Sequence, residues 1–175
     1  MFTRDEDQVI LDLEPQEIDL LTQLYGQLHD LLANDEMEVD SDPFIQLMNM
    51  DGPTSISADP ALARLFPDAY VDNIEAASDF RRFTEPDLRR KKLASIRQVL
   101  EHLQTCDDLI TLNSQEAQSW LLSLNDLRLV LGTRIGVGEQ DEEEEEYSDR
   151  ELVRDPGFFL YDYLTYLQGT LIDVL

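Results

Sequence analysis

The sequence predicts a mainly α-helical single domain: a multi-helix bundle with a small β element of two or three strands near the N-terminus. Three observations carry this. Apolar residues recur at three- and four-residue steps along most of the chain, as one face of a helix requires. Helix-start chemistry, either Asp-Pro or an Asx/Thr cap, precedes several of these runs. One short N-terminal run, residues 8–13, alternates instead, with Val9, Leu11 and Leu13 on one face, as in a half-buried strand. At 175 residues with 42% hydrophobic content, the chain suffices for one domain with a real core.

After the strand, Glu14 and Glu17 flank Pro15 at a first helical turn, and Ile18, Leu21, Tyr25, Leu28 and Leu32 extend an amphipathic helix to about Ala33. Residues 34–42 read as an acidic loop. Asp42-Pro43 opens a short helix with Phe44, Leu47 and Met48, and residues 51–57 are turn material. Asp59-Pro60 opens another helix with Leu62, Leu65 and Phe66, stopped by Pro67. Residues 73–83 read as a separate helix, and Thr84 as the cap of the next, with Asp87 at the capping-box position. That next helix buries Leu88, Leu93, Ile96, Val99, Leu100 and Leu103, over roughly 30 Å.

Asn113 and Glu116 form a second capping box for a helix carrying Ala117, Trp120, Leu121, Leu124, Leu127 and Leu131, with Gly132 as its stop. Residues 136–148, with five consecutive glutamates, read as a solvated, mobile acidic loop. Asp155-Pro156 starts the last helix. Its apolar and aromatic residues cover nearly the whole circumference, which predicts a place at the centre of the core rather than on a partner. A homodimer stays open. The N-terminal strand is expected to pair with residues 109–112 or 151–153.

Charge gives the sequence its one functional signal. Thirty-eight acids oppose thirteen bases, a net charge of −25, yet seven of the bases lie within residues 81–97 beside only two acids, a local +5. Arg81, Arg82, Arg89, Arg90, Lys91, Lys92 and Arg97 form the candidate partner-binding set. Guanidiniums pair bidentately with carboxylates, so an acidic protein partner fits them best. DNA is the alternative, through a helix-turn-helix-like regulator, but the overall charge disfavours it.

The remaining chemistry is thin. His102 and Cys106 stand four apart with Asp107 adjacent, short of the three or four ligands a zinc site needs, so no metal or cofactor is expected. Glycines 132–138 lack the strand and the Gly-Lys-Ser/Thr ending of a phosphate loop, and no nucleophile elbow is present. An unrecognised hydrolase or metal enzyme therefore ranks third. A single cysteine, an N-terminus without a long apolar run and no spanning stretch predict a cytoplasmic protein with neither disulfide nor membrane anchor.

Three segments, DPALARLFPDAY (59–70), FRRFTEPDLRRKKLASIRQVL (80–100) and EAQSWLLSLNDLRLVLGTRIGV (116–137), together with the YDYLTYLQGTL ending, resemble an uncharacterised actinobacterial domain-of-unknown-function family, DUF2017. The resemblance covers nearly the whole chain and implies a helical fold with no catalytic residues to carry over. Genes of that family often neighbour the gene of the ClpS adaptor, which implies a link to Clp-dependent proteolysis. Some members bear the label of transcriptional regulators. Within the shared motifs Arg64, Tyr70, Trp120, Asn125, Asp126 and Arg128 form a candidate polar patch. Asn125, Asp126 and Arg128 lie within one helical turn, as a polar recognition patch or, on the favoured structural reading, as a network tying their helix to the basic one, with Arg128 satisfied by an acid.

Overall fold

The computed structural model describes residues 1–34, 53–70, 72–105, 109–137 and 156–175. The helix expected at Asp42-Pro43, nearly all of the acidic segment 136–148, the alternative strand at 151–153, and Cys106 with Asp107 lie outside the described residues.

Three strands form an antiparallel sheet in the order β1 (Phe2–Asp5), β2 (Gln8–Asp12), β3 (Leu109–Leu112). Val9 pairs with Leu112 and Leu11 with Ile110, so the alternating apolar residues of β2 and β3 share the face that meets the helices. Of the two pairings open to residues 8–13, the one with 109–112 forms. The first strand is an addition to the expected pattern. Its hairpin turns at Glu6, which takes a left-handed φ of 51°. No Asn-Gly or Asp-Gly pair announces such a turn.

Five helices accompany this sheet among the described residues: α1 (Pro15–Asn34), α2 (Pro60–Leu65), α3 (Ile74–Thr105), α4 (Ser114–Arg134) and α5 (Pro156–Val174). Asp59 caps α2 by accepting from the Ala61 amide at 2.8 Å, with Pro60 at the first position. Asn113 and Glu116 close a complete capping box on α4. None of the described helices is long and apolar enough to cross a membrane.

The hub is α4, which touches α1, α2, α3, α5 and the sheet. Its Trp120 is fully buried. The indole sits edge-on to Phe2 of β1 and Tyr25 of α1, at 5.9 and 6.1 Å between ring centres. Its Nε1 donates to His102 Nδ1 of α3 at 3.0 Å. One side chain thus joins the sheet and three helices, and its polar atom is satisfied, as burial demands.

Three expectations change. The last helix is not central. Only Leu164, Leu167, Gln168 and Leu171 of α5 are buried, while Phe159, Tyr166 and Ile172 are 56 to 61% exposed, because α5 packs mainly against α4 and the outer strand β1. Residues 73–83 and the basic segment form one helix of 32 residues, roughly 48 Å long. Thr84 does not cap it; its hydroxyl donates to the Phe80 carbonyl at 2.7 Å, one turn back within a continuous helix. Pro86 sits inside, removing one backbone bond. Gly132, finally, is not the stop of α4: the helix runs to Arg134, and the left-handed residue is Gly136, at φ 74°.

Candidate functional site

Helix α3 divides the basic cluster by helical geometry. At 100° per residue, positions 81, 85, 89, 92, 96, 99 and 103 share the side that faces the core. Arg81, Glu85 and Arg89 are 5, 6 and 9% exposed. Glu85 accepts from Arg81 at 2.6 Å and from Arg89 at 2.9 Å, each four residues away. Arg81 also donates to Asp68 at 2.7 Å and to the Phe66 carbonyl at 3.0 Å. Burial would lower its affinity for the proton, but the Asp68 and Glu85 carboxylates outweigh that and hold it more firmly charged. Arg89 donates to the Leu32 carbonyl at 2.8 Å and lies 4.6 Å above the Phe66 ring. Lys92 reaches Asp126 of α4 at 2.6 Å. Burial pushes the Asp126 pKa upward, with the Lys92 ammonium acting against it. These cations bolt α3 to α1, α2 and α4.

The other side of α3 faces water. Arg90 pairs with Asp87 on the same face, Arg82 with Asp79 at 3.0 Å, and Arg97 approaches His29 at 3.4 Å. Lys91 has no partner among the described residues. Beside these cations stand Phe80, 46% exposed, and Phe83, 51% exposed. Tyr70 meets Phe80 edge-on at 5.9 Å. Positions 80, 83, 87, 90 and 91 fall within about 100° of one another around the helix. Sequence reading missed the two phenylalanines as surface residues. The signal was present: 80 and 83 lie off the stripe set by Leu93, Ile96, Val99 and Leu103.

The residues of the candidate polar patch do not form one patch. Trp120 is in the core and Asp126 in the Lys92 pair, whereas Asn125 faces solvent. Tyr70 belongs to the aromatic surface of α3. Arg64 and Arg128 meet elsewhere, on the walls of a cavity of about 720 Å³ between α2, α4 and α5. Arg128 donates to Thr165 Oγ1 at 3.1 Å, to the Tyr161 hydroxyl at 3.3 Å and to Gln168, with its guanidinium 5.1 Å from the Tyr161 ring centre. Among the described residues it meets no acid.

His102 spends Nδ1 on Trp120 and holds Nε2 3.8 Å from Glu116. No group of three metal-ligating side chains occurs among the described residues.

The chain is similar to proteins that are named as regulators. The oxidative stress regulator AosR of Mycobacterium tuberculosis is 29% identical over a 194-residue alignment, covering 99% of this chain and 84% of that protein. The protein of the same name from Mycobacterium bovis matches over the same extent. No solved structure matches. The family model described as "Domain of unknown function (DUF2017)" matches residues 1–175. This chain belongs to the DUF2017 family.

Proposed function

We propose that the protein is a non-catalytic, cytoplasmic regulator in an oxidative-stress response, acting by docking an acidic protein partner on the outward side of α3. The observation that carries the reading is the alignment of half-exposed Phe80 and Phe83 with Arg90 and Lys91 on one helix face. Such a face combines what interface centres use, namely aromatic rings and arginine. Each ring left half in water forgoes about 1 kcal/mol of burial, which a partner surface would recover. The net charge of −25 repels an acidic partner from most approaches and favours arrival at this basic face. The name of the mycobacterial relatives supports regulation as the setting. Cys106 is the one cysteine in these 175 residues, so the proposed response to oxidation runs through association and not through an internal disulfide.

DNA remains the second reading, and the ion pairs weaken it. Arg81, Arg89 and Lys92 are already matched by carboxylates in the interior, and Arg82 and Arg90 by carboxylates on the surface. Few cations then remain to release counterions from a phosphate backbone. A native pull-down with and without nuclease separates the readings, comparing the wild type with an Arg90→Gln/Lys91→Gln variant. The docking reading expects an acidic protein that resists nuclease and is lost with the variant. Recovery of the Clp adaptor or its protease in that fraction would join the protein to Clp-dependent proteolysis. DNA bound by the wild type alone would promote the second reading, and identical recoveries from both proteins would refute the docking face.

A further inference from the structure

We propose that the cavity between α2, α4 and α5 binds a small organic anion, whose carboxylate or phosphate is held by the guanidiniums of Arg128 and Arg64. The cavity, about 720 Å³, has the size of a small-molecule site. Its walls are largely apolar, with Ile56, Pro60, Leu129 and Val137 among them, so an anion with an apolar body suits it better than a bare inorganic ion.

The charge pattern is what distinguishes this cavity. In a chain of thirty-eight acids, Arg81, Arg89, Lys92 and Arg134 each have a carboxylate partner. Arg128 has none among the described residues. It is held instead by three neutral groups, Thr165, Gln168 and Tyr161. Those bonds use three of its five N–H donors and leave two, together with the full positive charge. Arg64 lines the same cavity, faces solvent and has no partner among the described residues. Asp68, the carboxylate in the lining, is engaged by Arg81 at 2.7 Å and so does not neutralise them.

The scaffold around Arg128 is also built to hold it. The Tyr161 ring backs its guanidinium, and Gly132 makes room for that ring. A Cβ at position 132 would stand 3.1 Å from Tyr161 Cε2, closer than carbon atoms pack without displacement. A cation fixed by neutral neighbours binds an oxyanion without first breaking an ion pair, which is how preorganisation raises affinity. This inference is independent of the docking face on α3.

The test is a titration of the full chain with phenyl phosphate and benzoate, followed by amide NMR shifts, with uncharged benzyl alcohol as the control probe. The wild type is compared with Arg128→Gln, Arg64→Gln and the off-site Arg90→Gln. Phenyl phosphate or benzoate is expected to shift amides near residues 128–133 and 161–168. Affinity should fall about tenfold in both cavity variants, the loss of one charge-assisted contact, and stay unchanged in Arg90→Gln. Arg64 is exposed, so its variant reports even where Arg128→Gln fails to fold. The stronger of the two anionic probes identifies the headgroup. No shift in the wild type with either anion at 10 mM (about the weakest affinity of interest) would overturn the proposal. Benzyl alcohol binding as well as the anions would overturn it too, as would full affinity in Arg64→Gln.

Discussion

Replacing Glu85 by alanine tests the division of α3 most sharply on the stability side. Its carboxylate is 6% exposed and accepts from two guanidiniums that are themselves nearly buried. Removing it takes away a carboxylate shared by two buried guanidiniums. Arg81 retains Asp68 and the Phe66 carbonyl, but Arg89 loses the Glu85 carboxylate. Breaking a buried ion pair from one side costs about 3–5 kcal/mol. For a chain of this size each kcal/mol moves Tm by about 2–4 °C, so Glu85→Ala should lower it by roughly 6–20 °C. The assay is thermal unfolding followed by far-ultraviolet circular dichroism at low and high salt. Asp87→Ala, which removes an exposed carboxylate two residues away, should shift Tm by no more than about 2 °C. Added salt should leave the Glu85→Ala deficit largely intact, since buried pairs are weakly screened. A Glu85→Ala protein melting within about 2 °C of the wild type would mean that the buried Arg81–Glu85–Arg89 pairs do not hold α3 in place.

Gly26 lies inside α1 with open space where a Cβ would project, so Gly26→Ala should raise stability by about 0.5–1 kcal/mol in denaturant unfolding; a loss would mean that the site is packed. Burial of the Asp59 carboxyl pushes its pKa up, but the bonds from Arg134 and the Ala61 amide outweigh this and lower it overall. The stability contributed by that charge is therefore full above the ordinary aspartate pKa of about 3.9 and is lost as pH falls through the depressed value. Asp59→Asn keeps a capping side chain, so its stability difference from the wild type should shrink through that acid window; a constant difference down to pH 2 (about the floor for such groups) would contradict the assignment.

Much of the fold was legible because the signals were local. The Asp59-Pro60 start, the Asn113–Glu116 box and the alternation in residues 8–13 are each written within a few residues, and each appears as read. What failed depended on distant partners. Thr84-Glu85-Pro86 has the composition of a helix start, yet Arg81, Glu85 and Arg89 pair four residues apart across that point, and Asp68 and Leu32 hold the arginines from outside. Those tertiary bonds carry the helix through its proline. The last helix misled in the opposite way. Aromatic residues around its whole circumference suggested burial, but Phe159 and Tyr166 stay more than half exposed. The basic segment was visible from charge alone, whereas its separation into an inward scaffold and an outward face was not. That separation depends on helical phase and on carboxylates supplied by residues 68, 85 and 126.

The docking face on α3 is tested most directly by placing a photo-crosslinking side chain at Phe83, and separately at Phe159 on α5, in cells of the source organism. Both positions are more than half exposed, at 51 and 61%, so each can report a neighbour. A discrete adduct with an acidic protein is expected at position 83, absent at 159 and lost when Arg90 and Lys91 are neutralised. No adduct at 83, or the same adducts from both positions, would contradict it.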